Sequence, residues 1–436
     1  MKRASVFTAA VGGIGSTVLC SLALAQPASF TPLGDLAGGS FLSRARAISS
    51  GGQFVVGGSS STLSGSGVTE ASLWNGASPC TALGDIAGGA VSAEAYGVSA
   101  DGSVVLGFGT NAAGQTEAFR WTSAGMTGLG FLAQGGSVSH LYAGAADGLS
   151  GCGDHQHDWP SSGGPPPLPT IQAIRWTSTG GMVGLGFLPG VSGTSGGEYS
   201  TARGISNDGS VIVGYAQDAG FNYRPWRWTQ ATGLVDISGG VMTGFARGCS
   251  PDGNIVVGSY AGAQPFAWTT MGGMRSLGLL AGYATGSAVD ATSDGGRILA
   301  VMTGSPSAVS VWDRTLGMPL SGPTGGGTWR SLQSALSAAG VSTTGWSLTT
   351  SFAMSDDGKT IVGYGTDPSG NTQAWKAVLP RVCLADFNGA DGVSVQDIFD
   401  MLNAWFAGDP RADFNGVGGI TVQDIFDFLN AWFVGC

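Results

Sequence analysis

The chain has 436 residues, of which 78 are glycine and 42% are apolar, and it carries a formal net charge of −10. That length accommodates one large domain and a small one, and 13 Trp and 19 Phe supply the buried surface that glycine-rich disordered chains lack. The acidic balance excludes a nucleic-acid-binding footprint and favours neutral ligands, cations or proteins as partners.

The first segment, MKRASVFTAAVGGIGSTVLCSLALAQ, has a basic start, an apolar run and the small-x-small end Ala23-Leu24-Ala25. This is the pattern of a secretory signal peptide over 1–25, cut before Gln26. A membrane anchor is the rival reading, but the run is short and rich in small residues. No later segment is apolar for long enough to cross a bilayer, so the mature chain is expected to be exported, with no membrane span, and extracellular or at the cell surface. Export permits disulfides. Of Cys80, Cys152, Cys249, Cys383 and Cys436, the pair Cys383 and Cys436 brackets the tail and is the expected bridge. Cys249 stands where a sister unit carries Ile, as a small core residue, and Cys80 and Cys152 have no assigned partner.

The next domain, 26–380, repeats itself with a period of about 50 residues, in the range of propeller blades. A hairpin signature recurs seven times, from ARAISSGGQFVVGG through ARGISNDGSVIVGY to FAMSDDGKTIVGYG. Each copy is followed by an aromatic strand carrying Trp74, Trp121, Trp176, Trp228, Trp268, Trp312 or Trp375. Asp-Gly is expected to supply both positive-φ positions of a type I′ turn. Runs such as SVIVG suit strands packed on both faces, and the Trp is large enough to fill the gap between neighbouring sheets. TPLGDLAGG, 31–39, reads as the last strand of a unit with nothing before it, and the seventh unit lacks that strand. The chain is therefore expected to close a ring by placing its start in the last blade. An open solenoid or β-helix is the alternative, with shorter repeats. Residues 321–350 read as an insertion in the last unit, with a short helix in RSLQSALSAAG. The fold expected is mainly β: a seven-bladed β-propeller-like repeat domain with a small α-helical tail.

GISNDGSVIVG (204–214) and EAFRWT (117–122) give this repeat its pattern, and in it the chain resembles the HAF-repeat family of extracellular proteins. The resemblance implies export and a β-rich repeat and supplies no reaction. The first unit departs from it, with Gly51-Gly52 in place of Asp-Gly.

All three histidines fall in the third unit. Asp154, His155 and His157, with Cys152 and Asp158 beside them, include the ligand types zinc favours, yet their spacing matches no standard site. A polar, proline-anchored surface loop is the plainer reading. A serine-histidine-aspartate triad has its base restricted to this unit. Most aspartates are accounted for by hairpin turns, so no catalytic set is assigned.

After Pro380 the pattern changes, and 381–436 form a separate domain. DFNGADGVSVQD, from Asp386 to Asp397, has the length of an EF-hand loop. Asp386, Asn388 and Asp397 occupy its first, third and last positions, and Asp391 stands one place beyond the missing fifth ligand. Asp413, Asn415 and Asp424 repeat the set with no substitute acid. The following helices carry apolar stripes, Ile398, Met401, Leu402 and Trp405 with Phe399 and Phe406 widening the first, and Ile425, Phe428, Leu429 and Trp432 in the second. These read as a mutual core.

Two loop-helix units in tandem with a terminal Gly435-Cys436 resemble dockerin type I modules, in the form found as tails of exported planctomycete proteins. The resemblance implies Ca2+ at Asp386, Asn388, Asp397, Asp413, Asn415 and Asp424, and a cohesin-like or cell-surface protein as partner. The combined expectation is a secreted, non-catalytic binding or display protein, with a neutral glycan or protein on the propeller. A polysaccharide-acting enzyme carried on a dockerin, or a structural envelope protein, are the alternatives. The enzyme reading predicts acidic residues converging in the central channel. The binding reading predicts aromatic or amide groups there without a carboxylate pair.

Overall fold

A computed structural model describes residues 27–436 apart from 65–66, 77–78, 134, 158–169, 192–197, 241–242, 261–262, 316–325, 382–383, 389–392, 416–418 and 435–436. The signal peptide, the Cys383–Cys436 bridge, Asp158 and Asp391 therefore lie outside the described residues.

The repeated Ser-x-Asp-Gly sequence makes its turn with one positive-φ residue rather than two. Gly102, Gly209, Gly253 and Gly358 have φ of 72°, 68°, 70° and 69°, while the aspartates before them stay at negative φ. The turn is thus closed by the Gly102 N–H donating to Ser99 O at 3.0 Å, and a single left-handed residue suffices. Aspartate has a different task. Asp101 Oδ1 accepts from the Ser99 hydroxyl at 2.6 Å and from the Ser103 N–H at 3.0 Å. Ser99 Oγ in turn accepts from the Val104 N–H. Ser206 with Asp208, Ser250 with Asp252, Thr292 with Asp294 and Ser355 with Asp357 repeat the clamp.

Each clamp joins two antiparallel strands, followed by an aromatic strand and a short outer one. In the clearest copy, Ser200–Ile205 pairs with Val211–Gln217, that with Tyr223–Thr229, and that with Gly233–Asp236. Gly327–Ser331 pairs with Ala308–Arg314, placing Trp329 opposite Trp312. It therefore completes the sixth group, and the expected insertion at 321–350 is shorter than the sequence suggested. The Trp329 indole N–H donates to Leu277 O, which holds this strand although 316–325 separate it from its partner in sequence. The short helix follows as α1, Leu332–Ala338, capped by Ser331.

The last group, Ser347–Met354, Thr360–Thr366 and Thr372–Val378, takes its fourth strand from Ser29–Pro32, with Ser29 opposite Val378. Its neighbour is the first group: the Ala374 N–H donates to Ser43 Oγ at 3.0 Å, across 331 positions. The same bond joins interior groups, from Ala118 N–H to Ser139 Oγ and from Ala173 N–H to Ser200 Oγ. The ring is closed by the contact its interior already uses.

The core lies between neighbouring sheets. Trp375 packs on Leu299 and Val311 of the preceding group, Trp312 on Ile255 and Val257, and Trp74 on Val362 and Ala374 across the closure. Indoles thus fill the wedge that diverging sheets leave open, Trp226 and Trp228 together in the fourth group.

In the tail, helices α2 (Val395–Ala407) and α3 (Val422–Val434) share a core of Phe387, Met401, Phe414 and Phe428. The Trp405 indole N–H donates to Thr421 O and the Trp432 indole N–H to Ser394 O, a reciprocal exchange between the copies. Phe399 and Phe406 do not widen the buried stripe. They are 57% and 78% exposed, as are their counterparts Phe426 and Phe433 at 57% and 76%. The stripe is narrow because Met401 and Ala404 already meet the partner helix.

The tail is tied to the sixth group. Arg297, wholly buried, donates from Nη1 to Gly358 O and Leu379 O, from Nη2 to Pro380 O, and from Nε to Asp313 at 2.6 Å. Arg381 pairs with Asp294, and Arg314 Nη2 donates to Asp413 O at 3.1 Å.

Candidate functional site

The innermost strand of every group contains a β-bulge at the same place. The register shifts between Ala45 and Ala47, Ala95 and Gly97, Leu141 and Ala143, Ala202 and Gly204, Ala246 and Gly248, Ala288 and Asp290, and Ser351 and Ala353. A bulge bends its strand and re-aims a side chain. The skipped residues are Arg46, Tyr96, Tyr142, Arg203, Arg247, Val289 and Phe352, and all line one central cavity of about 430 Å³. The residue after the bulge is mostly Gly or Ala because adjacent inner strands nearly touch there. A Cβ on Gly248 would fall 2.1 Å from Val289 O.

Asp290 breaks that rule. Its Oδ2 accepts the Met354 N–H of the next group at 2.9 Å and its Oδ1 the Ala291 N–H at 2.8 Å. Burial pushes its carboxyl up to about 7, with these two N–H groups opposing. At the turn end of the cavity, Asn207 Nδ2 donates to Asp356 Oδ2 at 2.6 Å across 149 positions. Burial raises the Asp356 pKa, and the Asn207 bond opposes it. Backbone bonds between turns, Ala146 N–H to Asn207 O, Asn207 N–H to Pro251 O and Asp356 N–H to Ser50 O, complete this floor. The channel therefore holds the aromatic and amide groups of the binding reading, with cationic walls that neither reading expected. It also holds two carboxylates at the floor, which the binding reading did not expect and which are already hydrogen-bonded.

The walls are paired unequally. Arg46 is neutralised by Glu94, at 2.8 and 3.3 Å, and Glu94 also accepts the Tyr96 hydroxyl at 3.0 Å. The Arg46 guanidinium lies 4.9 Å from the Phe352 ring centre. Arg203 lies 4.1 Å over Tyr142 and donates to the Tyr215 hydroxyl at 3.3 Å. Arg247 lies over Tyr215 and Phe245. Arg46 has an ion-pair partner; Arg203 and Arg247 have none among the described residues.

The third-unit candidates are a strand, Ser150–His157, rather than the surface loop expected. Strand alternation splits them. Asp154 faces His140 and Thr201, accepting the Thr201 hydroxyl at 2.7 Å and lying 2.8 Å from His140 Nδ1. His155 and His157 point the other way, their rings 4.8 Å apart. Burial pushes the thiols of Cys152 and Cys249 well up. Among the described residues no group of three or more His, Cys, Asp or Glu is placed to hold a metal ion.

In the tail the final loop aspartates cap their helices. Asp397 Oδ1 accepts the Asn388 N–H, and Oδ2 accepts the N–H and hydroxyl of Ser394. Burial opposes its charge, but these backbone N–H groups hold its carboxyl below the usual range. Asp424 repeats the arrangement with Asn415 and Thr421. Asn388 and Asn415 donate to Asp400 and Asp427. Asp386 Oδ1 is buried without a partner among the described residues, the condition a hard cation relieves, so the first loop fits a calcium ion in its donor chemistry.

No family model matches the chain, and no curated protein is similar to it by sequence. Solved structures are similar in fold. TolB from Acinetobacter baumannii is 12% identical, with 64% of each chain covered and a TM-score of 0.36. A prolyl endopeptidase is 11% identical over 81% of this chain and 50% of that one, at 0.46. The β-propeller domain of Myceliophteria thermophila Cps50 (Swd1) is 10% identical over 78% and 99%, at 0.42. This chain thus spans half of the endopeptidase and just under two thirds of that TolB. At these scores the likeness carries no functional weight. The fold is mainly β and propeller-like on the pairing of its own strands. Among the described residues no helix is long and apolar enough to cross a membrane.

Proposed function

We propose that this chain is an exported, non-catalytic binding or display protein. It is a seven-bladed propeller that takes a ligand in its central channel and is carried on a dockerin-like tail at the cell surface or in an extracellular complex. The observation that carries the binding reading is the set of bulges, which aim one side chain per inner strand into one cavity. A cavity of that size with aromatic walls and convergent polar groups suits a small ligand. The hydrolytic alternative draws on Asp290 and Asp356, but both already serve as bridges between blades.

Docking is supported by the tail's exposed apolar faces. Val395, Phe399 and Phe406 on α2 are matched by Val422, Phe426 and Phe433 on α3, all at least 57% exposed. Small domains rarely spend large apolar residues on solvent without a partner. Calcium in the first loop would use Asp386, Asn388, Asp391 and Asp397. Asp413, Asn415 and Asp424 form the weaker second set. Calcium there supplies charge neutralisation and order, and the docking face belongs to the helices. The test is retention of the full chain on washed cells of the source organism, with and without a calcium chelator. Loss of retention on Phe399→Asp/Phe406→Asp together with Phe426→Asp/Phe433→Asp is expected. Retention unchanged by all four would remove the docking reading.

A further inference from the structure

The bulge positions carry three arginines and no acid, in a protein whose net charge is −10. Such a reversal is local, so its cause lies in the cavity. Arg46 is spent on Glu94. Arg203 and Arg247 are not spent. They come from the same position of adjacent inner strands, Ser200–Ile205 and Gly244–Cys249, and line the cavity together.

Two other arginines of the repeat domain without an acid partner use the chain itself. Arg175 donates to Gly209 O and Arg227 to Gly253 O, each bracing a neighbouring turn. Arg203 braces no turn: its hydrogen bond goes to the neutral Tyr215 phenol, and its Nε, like that of Arg175, is buried with no acceptor among the described residues. Tyr142 beneath it and Tyr215 beside both arginines orient the guanidinium planes without neutralising them. The nearest carboxylate along the wall, Asp154, is held by Thr201 and His140. Those at the floor, Asp290 and Asp356, are bonded to backbone N–H groups and to Asn207.

We propose that Arg203 and Arg247 form the anion-recognition end of the channel, taking an organic carboxylate whose flat or apolar body, about the size of one ring, packs against Tyr96, Tyr142 and Phe352. A guanidinium fork matches a carboxylate in two parallel hydrogen bonds, and the aromatic wall accepts the body of the ligand. This inference rests on the binding reading above and narrows it from the neutral ligand that overall charge suggested.

The experiment is calorimetric titration of the full chain with galacturonate and benzoate, each paired with its neutral counterpart, galactose and benzyl alcohol. At least one acid is expected to bind about tenfold or more tightly than its counterpart, the worth of a charge-assisted hydrogen bond. That preference should vanish in Arg203→Gln/Arg247→Gln and survive in Arg275→Gln, an arginine outside the cavity. Arg203→Lys/Arg247→Lys keeps the charge, loses the fork and should retain part of the preference, which covers the case in which the glutamine variant fails to fold. Neutral compounds binding as well as acids, with binding abolished by Val289→Trp at the wall, would overturn the anion inference and leave the binding reading standing. Acid preference that persists without both arginines would overturn it too. No binding by any of the four in the millimolar range would sink both readings.

Discussion

Asn207 and Asp356 meet at 2.6 Å across the channel floor although 149 positions separate them. One comes from the fourth hairpin turn and the other from the seventh, so their bond spans the ring rather than joining neighbours. Asn207→Ala removes the amide and leaves a half-buried carboxylate short of a donor, which should cost about 1–3 kcal/mol. Asp356→Asn keeps an amide-to-amide bond and removes the charge, so it should be close to neutral. Urea denaturation of both variants at neutral pH checks the contrast. Equal losses would mean that the pair contributes only packing.

Asp290 gives the fold an unusual pH dependence. In the unfolded chain its carboxyl titrates near 3.8, and in the fold burial pushes it up to about 7. Between these values the folded state holds a proton that the unfolded state has released, so this group's stabilisation is complete at low pH and is lost as pH rises through about 7. Asp290→Asn should therefore gain on the wild type as pH is raised from 4 to 7, measured as the difference between their unfolding free energies. A difference flat across that window would show that Asp290 is ionised throughout.

The hairpin clamps have the opposite sign. The Ser206 hydroxyl, then the Ser210 N–H, hold the Asp208 carboxyl below its usual range. Its contribution is present above the unfolded value and is lost as pH falls through the lower, folded one. Asp208→Ala should cost about 1 kcal/mol at neutral pH and nothing extra in strong acid. Thermal melts at both pH values test this, and an equal loss at each would assign the effect to backbone propensity.

The repeat and the inter-sheet indoles were legible because each depends on residue type at a fixed spacing. The closing role of the chain's start was legible too, but not its bounds: the strand is Ser29–Pro32 rather than 31–39, and Gly38 already opens the first group's inner strand. Trp74, Trp312 and Trp375 needed only size and position. The channel was not legible. Ala-Arg-Gly reads as the flank of a hairpin, and an inserted bulge residue leaves no mark on an alternating pattern, so Arg203 and Arg247 passed as ordinary strand residues. The strand at 150–157 was hidden by composition instead, since its Gly, His and Asp look like loop. In the turns the motif was read correctly and its mechanism was not, since aspartate and glycine there divide the work between hydrogen bonding and backbone freedom. On α2 the periodicity located the stripe but not its width, and Phe399 and Phe406 fell outside it.

Arg297 should be the costliest single charge to remove. It is wholly buried and satisfies Gly358 O, Leu379 O and Pro380 O while pairing with Asp313. Arg297→Met fits the space but leaves three carbonyls unmet where the last strand leaves the ring, for a loss of about 3 kcal/mol. Chemical denaturation is the measurement. A loss under about 1 kcal/mol would mean that water replaces the guanidinium freely.

Arg314 distinguishes the two tail loops. It is 5% exposed, donates to Asp413 O, and faces Asp413 and Asp424 of the second loop. Burial pulls its pKa down, and Asp294, Asp413 and Asp424 act against that fall, so the guanidinium lends positive charge to a loop whose fifth position is Val417. At the first loop the Arg411 guanidinium lies over the Phe387 ring, and Asp386 Oδ1 is left without a partner among the described residues. Arg314→Gln should therefore loosen 413–434 selectively. Amide hydrogen exchange is expected to quicken in α3 by about tenfold, equivalent to one charge-assisted hydrogen bond, with α2 unchanged. Added calcium should slow exchange around 386–397 in both proteins and leave the loosened α3 of the variant as it is. Equal quickening of both helices would show that Arg314 holds the tail as a whole. Rescue of α3 by calcium would show that the second loop takes the ion once the arginine is gone.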